Sequence, residues 1–148
     1  GIAVQESFGS IVAEIAEVSM GNDNQPIVHK VTCAIDCGWA VNPDTVEAQV
    51  ESGIIFGLSA ALYGEITIEN GRVVEGNFPD YEMVRMATAP EIDVRIVESG
   101  EALGGLGEPA TPPIAAAVTN AIYILTGQRV RELPIKNHDL TRAPLARV

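Results

Sequence analysis

The segment Gly104-Gly105-Leu106-Gly107-Glu108-Pro109 sets a carboxylate directly after three glycines and before a proline. The glycines open backbone conformations closed to other residues and let a ligand come close, while Pro109 and the apolar run beyond it hold the Glu108 backbone. A carboxylate mounted in this way suits proton transfer. A Gly-rich turn ahead of a helix equally suits a solvated Glu with no chemistry. A phosphate cradle is disfavoured, because the Lys-Ser/Thr ending of a P-loop is missing and Glu108 puts negative charge where phosphate would sit. A second candidate is Gln49 in Gln49-Val50-Glu51-Ser52-Gly53, whose amide can donate and accept at once toward a polar ligand, or simply face water. A third, Asp36 in Asp36-Cys37-Gly38, reads as a turn-former. Cys33 and Cys37 are four apart on one face of a strand-like run, too distant for a disulfide, and no C-x-x-C pair offers a metal site. They read as buried free thiols, and no metal ligands are assigned.

Several elements must position these groups. Ile11 to Met20 alternates an apolar set, Ile11, Ala13 and Ile15, with a mixed set that includes Glu14 and Glu17. Gly21-Asn22-Asp23-Asn24 supplies turn residues before a β-rich run from Pro26 to Asp36, which predicts an antiparallel hairpin. Asn42-Pro43-Asp44 starts a helix over about 43–63, because Val46, Val50, Ile54, Leu58 and Leu62 recur every four residues. Gly53 and Gly57 within it predict a close approach to the helix backbone. Asn70-Gly71 predicts a second hairpin over Glu65 to Glu75. The stretch from Pro79 to Pro90 has no clear period and reads as a functional loop or a buried connector. Alternation of Ile92, Val94 and Ile96 with polar residues predicts a half-exposed strand. An apolar helix over about 112–126 stops at Gly127, followed by a short strand from Val130 to Ile135 and a fraying tail over 136–148. The fold class is α+β: antiparallel hairpins packed with two main helices.

With 148 residues, 47% of them hydrophobic, residues 1–148 suffice for one domain or subdomain with a real core. The formal net charge of −11 excludes a field that would hold nucleic acid. No apolar run reaches the roughly 18 to 20 residues of a membrane span. The opening lacks an initiating Met and a signal-peptide layout, so the chain reads as a piece of a longer polypeptide. It is expected to be soluble, in a cytoplasmic or periplasmic compartment that the residues do not distinguish.

Taken in order, the segments Glu6-Ser7-Phe8-Gly9-Ser10, Cys33-Ala34-Ile35-Asp36-Cys37-Gly38, Asn42-Pro43-Asp44, Gln49-Val50-Glu51, Asn77-Phe78-Pro79-Asp80-Tyr81 and Gly105-Leu106-Gly107-Glu108-Pro109 resemble the xanthine oxidase and aldehyde oxidase family of molybdenum hydroxylases. Within that family the chain is most similar to the carboxy-terminal part of the isoquinoline 1-oxidoreductase-like beta subunits. The resemblance implies a C-terminal piece of a larger molybdopterin-binding subunit that hydroxylates an N-heterocycle or aldehyde carbon with water-derived oxygen. It implies Glu108 as general base and Gln49, with Gly105 and Gly107, beside the molybdenum-molybdopterin cofactor. It further implies iron-sulfur clusters on another domain or small subunit, and the rest of the molybdenum subunit as a partner. Two departures stand out: Ser52 replaces the family's usual Gly, and Gln5 replaces a common His, whose role is not carried over. In isolation the piece is expected to be inactive, to hold no cofactor and to be prone to self-association. The reading from a different class is a non-catalytic assembly module derived from this family.

Overall fold

The computed structural model describes residues 1–141. Strands β1 (Ile2–Ser7), β2 (Ser10–Met20) and β3 (Pro26–Asp36) form an antiparallel meander, and helix α1 (Pro43–Tyr63) follows. A small ribbon, β4 (Ile68–Glu69) and β5 (Arg72–Val73), comes next, then β6 (Glu91–Val97) and helix α2 (Thr111–Thr126). The main sheet has the order β1-β2-β3-β6, with β6 parallel to β3. The fold is α+β with a mixed sheet: the sequence implied hairpins, and the parallel partner of β3 arrives through a long crossover that includes α1.

Each turn has a local cause. Phe8 and Gly9 both take positive φ (56° and 74°), the geometry of a tight two-residue hairpin, and divide what reads as one run from Gly1 to Met20 into β1 and β2. Asn70 and Gly71 do the same between β4 and β5, as their dipeptide predicts. Asn42 caps α1 by accepting a hydrogen bond from the Thr45 N–H at 3.3 Å, with Pro43 in the first turn. Gly127, in the left-handed region at φ 77°, ends α2.

The core lies between one face of the sheet and the two helices. Val12, Val31, Cys33 and Ile35 meet Val46, Val50, Ile54, Leu58, Ile114 and Ile122, all buried. Every residue of the predicted α1 stripe is therefore inside. On β2 the buried face differs from the apolar set seen in the sequence. Ile11 and Ile15 are exposed, whereas Ser10, Val12, Glu14 and Ala16 are buried. Both faces of this strand carry apolar residues, so alternation alone does not choose between them. The helices cover the face with the smaller side chains, which suits close packing.

Gly53 and Gly57 mark where the helices cross. A Cβ on Gly57 would run into the Thr111 carbonyl oxygen and stand 2.7 Å from Ile114 Cγ2, and one on Gly53 would lie 3.2 Å from Ala110 Cβ. The close approach anticipated at these glycines is that of the start of α2.

Val130 to Ile135 does not form the expected strand. Pro134 lacks the N–H that a ladder would need, and Ile135 is buried instead by a 3-10 turn over Ile135–Asn137. In the segment expected to fray, Leu140 is buried and the Gln128 side-chain amide donates to the Thr141 carbonyl at 2.8 Å. The remainder, 142–148, lies outside the described residues. The connector before β6 is pinned where the Val84 N–H donates to Ser59 Oγ on α1 at 3.1 Å, while Met86 is almost fully exposed.

Candidate active site

Glu108 stands in the short turn that launches α2. Its carbonyl accepts from the Thr111 N–H at 2.9 Å, and Pro109 and Ala110 behind it are buried. The glycine segment before it is strapped to the sheet. Gly104 donates its N–H to the Cys37 carbonyl at 3.0 Å, Gly105 donates to the Phe8 carbonyl at 2.8 Å, and Ser10 Oγ donates to the Gly105 carbonyl at 2.7 Å. These contacts need bare backbone: a Cβ on Gly104 would overlap Ser10, and one on Gly105 would lie 2.9 Å from Phe8 Cβ. At Gly107 the same position meets nothing within 4 Å. The turn is thus fixed on its sheet side and open at Gly107 and Glu108.

Asp36 serves the same strap. Its carboxylate accepts from the Gly38 N–H at 2.9 Å and from Ser99 Oγ at 2.8 Å, tying the end of β3 to the loop after β6. This is the structural role its position suggests. Cys33 and Cys37 are buried free thiols, as their spacing indicates. Burial, followed by the nearby Glu14 carboxyl, pushes the Cys33 thiol up to about 12. Burial likewise raises Cys37. Neither is a poised nucleophile.

Glu108 borders a cleft of about 340 Å³ between the β1–β2 turn and α1, bordered also by Phe8, Ser52, Gly53, Phe56 and Thr111. Of the predicted site residues, Glu108 and Gly107 border this cleft, whereas Gly105 lies behind it against Phe8. Gln49 is exposed one turn before Ser52 and Gly53, continuing along α1 the face that borders the cleft. Among the described residues neither the Gln49 amide nor the Glu108 carboxylate makes a side-chain hydrogen bond within the chain, and both are exposed. A free amide, a free carboxylate and the open side of Gly107 fit a polar cofactor laid along this edge. No three His, Cys, Asp or Glu side chains among the described residues gather into a metal site. No helix among them is long and apolar enough to cross a membrane.

Phe8 and Phe56 are cleft residues that motif reading passes over. Phe56 follows Gln49 by seven residues, two helical turns on the same face, and Phe8 occupies the first position of the positive-φ turn.

Residues 6–90 match the family described as molybdopterin cofactor-binding domain. The chain is 39% identical over 92% of its length to the isoquinoline 1-oxidoreductase subunit beta of Brevundimonas diminuta, of which the matched part is 18%. It is 35% identical over 73% of its length to a putative xanthine dehydrogenase molybdenum-binding subunit of Escherichia coli K12, matching 15% of that protein. Its fold superposes on quinoline 2-oxidoreductase from Pseudomonas putida 86 with a TM-score of 0.71 and 26% identity, covering 76% of this chain and 15% of that one. The chain thus spans less than a fifth of these relatives. The matched segment runs from β1 to the end of the connector before β6 and includes Gln49, while the relatives' similarity extends across most of the chain, so the chain belongs to the molybdopterin cofactor-binding domain family of the xanthine oxidase and aldehyde oxidase group.

Proposed function

We propose that this chain is the base-bearing part of a molybdenum hydroxylase acting on an N-heterocycle or aldehyde carbon, with Glu108 as general base. The observation that carries this reading is an exposed Glu108, with no side-chain hydrogen bond among the described residues, bordering a cleft on a turn fixed to the sheet through Gly104 and Gly105. Gln49 and the open side of Gly107 hold the cofactor edge, and Gly105 serves it by setting the turn. When bound, the molybdenum-molybdopterin group supplies the oxygen delivered to substrate and takes up the electron pair. Glu108 receives, at a carboxylate oxygen, the proton that the attacking oxygen gives up. The ties of Gly105 to Phe8 and of Gly104 to Cys37 fix the backbone of the turn that carries Glu108, as a base must be mounted within hydrogen-bond reach of its proton.

Electrons leave through iron-sulfur clusters on another domain or small subunit, because both cysteines here are buried and lie apart from the cleft. The piece alone has neither activity nor cofactor in this reading. The test is Glu108→Gln in the full-length enzyme. Turnover falls at least ~100-fold while molybdenum and pterin content hold, in keeping with the loss of a general base. Near-normal turnover sinks the assignment.

One observation favours a second reading, a non-catalytic assembly module. Ile2, Val4, Ile11 and Ile15 leave the outer face of the sheet apolar and exposed, a surface suited to the rest of the molybdenum subunit or to self-association. Metal and pterin analysis of the full-length protein separates the two readings.

A further inference from the structure

At the end of α2 away from Glu108, the surface carries a cation with no carboxylate to meet it. Asn120, Tyr123 and Ile124 share one face of that helix, three and four residues apart, while Ala117, Ala121 and Ile122 turn inward and are buried. Arg129 follows the Gly127 stop and lies over the Tyr123 ring, its guanidinium carbon 3.6 Å from the ring centroid. Its Nη1 donates to Asn120 Oδ1 at 2.9 Å, and Asn120 Nδ2 donates in turn to the Ile2 carbonyl on β1 at 3.1 Å. Ring and amide thus hold the guanidinium in one orientation. Its other N–H donors have no side-chain partner, and it forms no ion pair, among the described residues. With a formal net charge of −11 the chain has carboxylates in excess, yet the fold brings none of the described ones to Arg129.

Around the guanidinium the surface is apolar. Ile2, Ile15, Tyr123 and Ile124 border with it a cleft of about 580 Å³, and Ile2 stands opposite Ile15 in the β1–β2 ladder. Ile124 is 70% exposed. The apolar surface continues over the outer sheet face through Val4 and Ile11. A phosphate group collects several donors, whereas one guanidinium among apolar walls fits a carboxylate beside an apolar side chain, with Arg and Tyr as the anchors. The chain spans less than a fifth of its relatives, so a subunit of their length has most of its polypeptide outside these residues. Gly1 also borders the cleft, hydrogen-bonded to Ala16 in both directions at 2.8 Å, and a Cβ there would overlap the Ala117 carbonyl oxygen. Polypeptide joined ahead of Gly1 therefore leaves from the rim of the cleft. We propose that the cleft at Arg129 is the docking site for another segment of the same molybdenum-binding subunit, one that inserts an apolar side chain and sets an adjacent Asp or Glu carboxylate against the guanidinium. This rests on the reading of the chain as part of that subunit, and not on the role of Glu108.

The experiment uses the full-length holoenzyme with the photo-crosslinking amino acid p-benzoylphenylalanine at position 124, irradiated and mapped by mass spectrometry. The adduct forms within the same polypeptide, outside these 148 residues, on a segment that carries an Asp or Glu. Hydrogen exchange of the mapped segment then speeds up at least ~10-fold in Arg129→Glu, because a reversed charge opens the contact. Reversing the mapped carboxylate to Arg does the same, and the two reversals together return exchange to within about threefold of the unsubstituted enzyme. That recovery is what an effect confined to the Asn120 and Tyr123 contacts would not produce. An adduct on a second copy, on a different subunit or within this sequence overturns the proposal, as does no adduct at all. So does exchange unchanged by Arg129→Glu, or a double reversal no better than either single one. Failure of the base reading shows up separately, as undiminished turnover by Glu108→Gln.

Discussion

Glu14 on β2 lies directly across from Cys33 on β3, both side chains are wholly buried, and neither Glu14 carboxylate oxygen has a hydrogen-bond partner among the described residues. Burial pushes the Glu14 carboxyl up to about 8, so it is held neutral at pH 7. In the unfolded chain it ionises near its ordinary value of 4.5. Between these two values the unfolded state has released a proton that the fold retains. The contribution to stability is therefore fully present below 4.5 and is lost as pH rises toward about 8. The loss amounts to at most about 1.4 kcal/mol per pH unit. Denaturation midpoints at several pH values across that window should show this decline, and Glu14→Met should flatten it and raise stability at pH 8. Parallel pH profiles for the two proteins would show that Glu14 is not the group responsible.

The thiols give an independent check on the same packing. With Cys33 and Cys37 buried and raised, neither should react with a thiol reagent at pH 8 while the fold holds, and both should react in denaturant. Rapid labelling of the native protein would contradict the burial of both side chains.

Gly57 and Gly53 should respond unequally to alanine. At Gly57 the new methyl group collides with the Thr111 backbone and Ile114, so Gly57→Ala should destabilise by about 1–3 kcal/mol despite the gain in helix propensity. At Gly53 the nearest atoms, Ala110 Cβ and Thr111 Oγ1, stand at 3.2 and 3.3 Å, a tight contact that needs a shift of only a few tenths of an ångström rather than relief of an overlap. Gly53→Ala should stay within about 1 kcal/mol. Urea unfolding of the two variants compares them directly, and equal effects would mean that α2 does not cross at Gly57.

Gly105 and Gly107 separate folding from cofactor contact. Gly105→Ala presses on Phe8 and should lower the unfolding midpoint, whereas Gly107→Ala points into open space and should leave it unchanged. In the full-length enzyme, Gly107→Ala should reduce molybdenum loading or turnover without loss of fold. Normal loading and turnover would remove Gly107 from the site.

Gln49→Ala is a surface change and should alter stability by no more than about 0.5 kcal/mol. Its effect should fall on molybdenum content. Unchanged loading would remove Gln49 from the cofactor edge.

The sequence alone determined what nearest neighbours along the chain can decide. The four-residue apolar spacing from Val46 to Leu62 specifies α1, and Asn70-Gly71 specifies a turn, because both follow from local backbone geometry. Gly53 and Gly57 announced a close approach without naming what approaches. The family was legible because motif order along the chain survives without coordinates, and the same order singles out Glu108 and Gln49 as candidates. Only the tertiary structure decided which face of β2 is buried, since Ile11 and Ile15 are as apolar as Val12 and Ala16 and the choice depends on where the helices lie. The same holds for β6, whose alternation marks a strand but leaves its parallel pairing with β3 to a partner 61 residues away, Lys30 opposite Glu91. It holds for Val130 to Ile135, where apolar content suggested a strand and Pro134 with the burial of Ile135 produced a turn. Phe8, Phe56 and Glu108 converge for the same reason: a cleft is made by long-range packing, here the strap of Gly105 on Phe8 and the crossing of α2 over Gly53 and Gly57.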